Sequence, residues 1–147
     1  MSGVLSHRVL VVLLIGVLAA AGDAYAQTTW YVDDDNCPGP GSGTMADPFC
    51  TIQEGIDAAV NGDTVLVLDG EYTGAGNHNL DFGGRLITVR SANGAAGCVI
   101  NCQSLGRGFY FHNGETATAV VQGFTITNGR EYYGGGMYNY DSSPTVT

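Results

Sequence analysis

Lysine is absent from the 147 residues, and five arginines stand against 14 acidic residues, for a net charge of −9. A chain this poor in cations has little with which to neutralise phosphates, which argues against nucleic acid and anionic membranes as partners. Long apolar runs are also scarce. The one present, Val9 to Ala21, is 13 residues long, short of the roughly 20 that a spanning helix needs. Arg8 precedes it, and Ala24-Tyr25-Ala26 follows with a small-x-small cleavage pattern. Residues 1–26 therefore read as a signal peptide, with the mature chain expected to start at Gln27. Position 27 is not cysteine, which argues against a lipid anchor.

The four cysteines, Cys37, Cys50, Cys98 and Cys102, all follow that segment. An even number in an exported chain reads as disulfides. Three pairings are open, and the local one, Cys37–Cys50 with Cys98–Cys102, is favoured. The second bond requires a bend in "CVINC", because four residues of straight strand hold the sulfurs too far apart. Metal binding is the rival, although no histidine stands at ligand spacing from these cysteines.

Helix signals are nearly missing as well. Residues 27–50 read as a short strand, "TTWYV", and an extended leader loop rich in Gly, Pro and Asp. A single helix is expected after it. Thr51 and Glu54 form a capping box, Ile52, Ile56, Ala59 and Val60 fall on one face, and Gly62 stops it. From Thr64 onward come short β-type runs between turn formers: "TVLVL", "LITVR", "GFYF", "GFTIT" and "PTVT". Val65 to Ile87, Ile87 to Phe109 and Phe124 to Val146 are each 22 residues, and Phe109 to Phe124 is 15. That arithmetic predicts an all-β fold, a three-sided parallel β-helix repeating about every 22 residues. Residues 51–147 are then a capping helix and the first coils. The chain ends at "SSPTVT" within a strand pattern, so an N-terminal fragment of a longer protein is expected.

Residues 31–72, "YVDDDNCPGPGSGTMADPFCTIQEGIDAAVNGDTVLVLDGEY", resemble the opening of right-handed parallel β-helix proteins of the pectate-lyase-like superfamily. There a "TIQ-x-x-I-x-x-A" helix covers the end of the tube and a "GDTV-x-V-x-x-G-x-Y" coil follows. "GFTITNG" and "GGGMYN" are similar to the repeats of polymorphic outer-membrane proteins, with Gly134-Gly135-Gly136-Met137 in place of GG-A-I. Asn128 stands four residues after Phe124, off the register of the F-x-x-N motif. The resemblance implies the right-handed fold and a setting that is secreted, on the cell surface or in the outer membrane. It also implies contact with extracellular polysaccharide or a cell-surface component.

Lyases of that superfamily use a Lys or Arg base, and its hydrolases use clustered carboxylates. Here Arg85, Arg90, Arg107 and Arg130 are scattered, and Asp33-Asp34-Asp35 is the only acidic run, in the leader loop. Calcium is the one cofactor considered, at that run; no catalytic residue is assigned. His78 and His112 have no Ser or Cys partner at a recognisable spacing. The densest feature is "EYYGGGMYNYD", which sets Tyr132, Tyr133, Tyr138 and Tyr140 beside three glycines. Tyrosines on a flat face can stack on sugar rings, so these four are the candidate substrate-binding residues. The expected function is a non-catalytic, exported scaffold. The alternative is the N-terminal part of a polysaccharide lyase or glycoside hydrolase with catalytic coils beyond residue 147.

Overall fold

A computed structural model describes residues 26–147. The predicted signal peptide, apart from its last residue, lies outside the described residues. Among the described residues the regular elements are ten short strands, one α-helix and a 3₁₀ turn at Asp34–Asn36: β1 (Thr29–Val32), α1 (Ile52–Ala58), β2 (Thr64–Val67), β3 (Gly70–Tyr72), β4 (Thr88–Ser91), β5 (Cys98–Asn101), β6 (Phe109–Phe111), β7 (Val120–Gln122), β8 (Thr125–Thr127), β9 (Met137–Asn139) and β10 (Thr145–Val146). Their β-branched and aromatic residues favour extended backbone. Every strand pair is parallel, in three sheets ordered β1-β2-β4-β7-β10, β3-β5-β8 and β6-β9.

This corrects the even right-handed parallel β-helix solenoid of 22-residue coils. Thr64 pairs with Thr88, 24 positions on, and Thr88 with Val120, 32 positions on. Thr29 pairs with Thr64 across 35 positions, Gly70 with Cys98 and Phe109 with Met137 across 28. The residues that suggested 22 belong to different sheets: Val65 lies in the first, Phe109 in the third, and Phe124 just before a strand of the second. What the chain builds is three small parallel sheets of five, three and two strands with one short helix. The unequal connections carry their own turns, and these set the spacing.

Alternation along each strand sends one face inward. Val65, Val67, Val89 and Val121 come from the first sheet, Tyr72, Cys98 and Ile100 from the second, and Phe109 and Phe111 from the third. All are buried in one core together with Leu80 and Phe82. On the outer face of the second sheet a polar row forms, in which the Asn128 amide donates to Asn101 Oδ1 (3.0 Å) and the Asn101 amide to Glu71 Oε1 (2.7 Å).

The helix begins as its capping box requires. Thr51 Oγ1 accepts from the Glu54 N–H, and Glu54 Oε2 accepts from the Thr51 N–H at 2.9 Å. Ile52 and Ile56 enter the core, and Gly55 lets the helix approach the first sheet; a β-carbon there would lie 2.7 Å from Val65 and 2.9 Å from Val32. Val60 is exposed rather than on the buried face, because the backbone turns extended at Ala59. The helix start is tied to the loop before β4. Asn77 Oδ1 accepts from the Ile52 N–H, and the Gln53 side chain both donates to and accepts from the Asp81 backbone. No helix among the described residues is long and apolar enough to cross a membrane.

Cys37 and Cys50 are joined, their Cα atoms 4.9 Å apart, and close the leader loop. The second expected disulfide is corrected: Cys98 and Cys102 are free and buried. Cys98–Asn101 is straight strand, so the two Cα atoms stand about 13 Å apart, against the roughly 4.4–6.8 Å a disulfide spans. The bend comes one residue too late, at Gln103 and Ser104, both with positive φ. Burial, with the Asp69 and Asp34 charges, pushes the Cys98 thiol up to about 12.

Two outcomes follow. Thiol titration of the unreduced protein should find none reacting promptly in the folded state and two after denaturation; four, or none after denaturation, contradicts the pairing. Ile56→Asp should lower stability by several kcal/mol, since it places an unpaired carboxylate at a fully buried position. Coincident thermal melts of variant and parent would show that α1 does not seal the core.

Candidate functional site

The third sheet carries an aromatic ladder on its outer face. Phe109 and Phe111 point inward, packed edge-on against Phe82 with centroids 6.3 and 4.9 Å away, so Tyr110 between them must point out. The parallel register sets Tyr138 of β9 beside Tyr110, their rings 5.8 Å apart and 23° from parallel. His112, two residues along the same face, stacks on Tyr110 at 4.0 Å. Tyr133 stacks on Tyr138 at 5.9 Å, and Tyr132 meets Tyr133 edge to face at 4.7 Å. The Arg107 guanidinium sits over both central rings, 4.9 Å from the Tyr110 centroid and 5.0 Å from that of Tyr138. Cation–π attraction of this kind contributes about 0.5–2 kcal/mol. Arg107 also reaches Glu131 at 3.6 Å.

The structure thus joins three of the four predicted tyrosines. Tyr140 makes no aromatic pair among the described residues; its N–H is held by the Phe111 carbonyl and its ring is 56% exposed. Three members of the group lie outside the sequence-based site: Arg107, Tyr110 and His112. The alternation Phe-Tyr-Phe at 109–111 carried the signal for Tyr110. The glycines have a different use from the one expected. Gly134 adopts positive φ, and Gly129 and Gly135 bring two backbone segments together where a β-carbon on Gly129 would strike the Gly135 carbonyl. Gly129, Gly134 and Gly135 admit chain against chain, and Gly136 faces open space.

Ring geometry limits what the ladder can do. The faces of Tyr110 and Tyr138 are taken up by each other, by His112 and by Arg107, so a sugar ring cannot lie on them. Tyr132, 89% exposed and turned perpendicular to Tyr133, offers an open face. Beside it the ladder presents ring edges and phenolic hydroxyls.

The other candidate groups serve the backbone. Asp33 accepts from the Asp35 N–H, and Asp34 accepts from the Glu71 N–H while pressing on Gly70. Burial raises the Asp34 carboxyl above its ordinary value, and the neighbouring aspartates add to this. Among the described residues no three His, Cys, Asp or Glu side chains group as metal ligands. Arg85 faces Asp57 at 4.0 Å and lines, with Ala59, Val60 and Asn61, an open groove of about 460 Å³. Arg90 stands on the outer face of the first sheet, in register between Leu66 and Gln122.

Just beyond His112 the chain is held by a buried carboxylate. Glu115, 1% exposed, accepts from the Gly84 and Asn113 N–H groups (2.9 Å each) and from the Ser142 hydroxyl (2.8 Å). Burial alone would raise its carboxyl, but these hydrogen bonds outweigh burial and hold it below the ordinary value of 4.5. Asp63 follows the same pattern: burial is overcome by the Val60 and Thr28 N–H groups and the Trp30 indole, so its carboxyl lies below 3.8.

A folded value below the unfolded one means that the stabilisation is present above the unfolded value and fades as pH falls through the folded one. Glu115→Gln should cost about 1–3 kcal/mol near neutrality, because an amide NH₂ then faces buried donors. The gap between parent and variant melts should narrow as pH falls below 4.5; a gap independent of pH would rule out the charged form as the stabilising one. No family model, curated protein or solved structure matches the chain, so the site is read from its own chemistry.

Proposed function

We propose that the protein is an exported, non-catalytic scaffold that contacts neutral extracellular polysaccharide through the outer face of its third sheet, at Tyr132 and the phenols beside it. The reading rests on the Tyr132 ring, open to solvent and held at right angles to a stacked row of tyrosines. An aromatic face next to fixed hydroxyls suits a sugar, which offers an apolar C–H face and a rim of hydroxyl groups. A net charge of −9 disfavours acidic glycans. Export is supported by the signal-like segment and the Cys37–Cys50 disulfide. Binding is favoured over depolymerisation because Arg107 is stacked and ion-paired, Arg85 faces Asp57, and Asp33, Asp34, Asp63 and Glu115 spend their oxygens on backbone groups.

One exposed ring gives weak contact, with a Kd in the millimolar range, about −4 kcal/mol. Titration with neutral oligosaccharides should show Tyr132→Ala weakening binding roughly fivefold, which corresponds to about 1 kcal/mol. Tyr132→Phe should retain most of the affinity, and Tyr140→Ala should be silent. Equal binding by the parent and Tyr132→Ala would remove the site.

A further inference from the structure

Four Asn-Gly dipeptides occur in the chain, at Asn61, Asn93, Asn113 and Asn128. Such a pair can change itself without an enzyme. The glycine nitrogen attacks the asparagine Cγ, a C–N bond forms, and the Cγ–Nδ2 bond breaks. Ammonia leaves with the proton from the peptide nitrogen, and water later opens the succinimide to aspartate or isoaspartate. The fold can block this in three ways: by engaging the glycine N–H, by holding the side-chain amide, or by preventing the peptide from turning.

Three of the four sites are blocked. At Asn61 both reacting groups are tied to one residue: Asn61 Oδ1 accepts from the Leu86 N–H, and the Gly62 N–H donates to the Leu86 carbonyl, each at 2.9 Å. At Asn93 the amide donates to Asp69 at 3.1 Å, and the Gly94 N–H donates to Ser91 Oγ at 3.0 Å. At Asn128 the amide ends the polar row on Asn101, and Gly129 is pressed against the Gly135 backbone.

At Asn113 the N–H of the asparagine itself is held by Glu115 Oε2 at 2.9 Å, but neither reacting group is firmly tied. The Gly114 N–H has no hydrogen-bond partner among the described residues. The Asn113 side chain is exposed and makes only long contacts, 3.3 Å to Asp81 Oδ1 and 3.4 Å to His112 Nε2. That imidazole stands beside the departing nitrogen. We propose that Asn113 is a self-modification site, deamidated in the folded protein ahead of the other three. This goes beyond the glycan-contact reading and does not depend on it. The product sets a carboxylate against Asp81, replacing a hydrogen bond with a like-charge contact at the His112 end of the aromatic ladder.

The test is to hold the folded protein at mildly alkaline pH and follow aspartate and isoaspartate at each site by peptide mapping. A parallel sample in urea supplies the four unrestrained rates. Conversion at Asn113 should lead the other three by about tenfold or more in the folded sample, and its folded-to-unfolded rate ratio should be the highest of the four. Conversion at any other site as fast as at Asn113, or folded protein unmodified at Asn113 while the urea sample reacts, overturns the proposal.

Discussion

In-register parallel pairing is the constraint from which the rest of this structure follows. When each strand lies beside one of the same direction, equivalent positions stack across the sheet. Trp30, Val65, Val89 and Val121 make one inward row, which Val146 continues at the exposed edge strand, and Tyr31, Leu66, Arg90 and Gln122 make an outward one. A residue choice at one strand therefore constrains the next. Inside, the result is a continuous apolar core from strands of only two to four residues. Outside, on the third sheet, it sets the aromatic rings of Tyr110 and Tyr138 side by side.

Such short strands leave long connections whose backbone groups must be satisfied. The protein does this with buried polar side chains placed at corners. Asp63 gathers Thr28, Trp30 and Val60; Asn77 joins the helix start to Thr73; Glu115 gathers Gly84, Asn113 and Ser142. Each one connects segments remote in sequence, so the corners act as fasteners between elements that share few backbone bonds. They also position the site, because Glu115 fixes the Asn113 backbone next to His112.

Local rules made the helix legible: the Thr51–Glu54 pair and the Ile52/Ile56 spacing point to it without tertiary information. Strands with β-branched runs were legible too. Gly70–Tyr72 and Met137–Asn139 were not, because three residues that include Gly, Glu or Asn look like turns until a neighbouring strand pairs with them, and Val120–Gln122 is too short a run to stand out before β4 and β10 pair with it. Register is the harder quantity. A constant period assumes equal connections, whereas here they differ, and the positions that matched 22 crossed from sheet to sheet. Of the site, exposed tyrosines close in sequence were visible. The Phe-Tyr-Phe alternation marks Tyr110 as outward-facing, but that Arg107, Tyr110 and His112 join the tyrosines was not visible, since only the 28-position pairing of Tyr110 with Tyr138 brings the two groups together. Cys98 and Cys102 misled for a related reason: nearness in sequence is not nearness in space along an extended strand.

The amide row on the second sheet has a direction. Asn128 donates to Asn101 and Asn101 to Glu71, so both amide dipoles point the same way, toward the carboxylate. A β-sheet backbone supplies little net dipole of its own, and hydrogen bonds in a chain polarise one another. The negative charge on Glu71 is thus partly passed along the row, and the far oxygen of Asn128, at the outer strand, becomes a stronger acceptor than an isolated asparagine would be. The row works as a short conductor of polarisation across the strands, carrying the influence of a side chain in β3 to the opposite edge of its sheet.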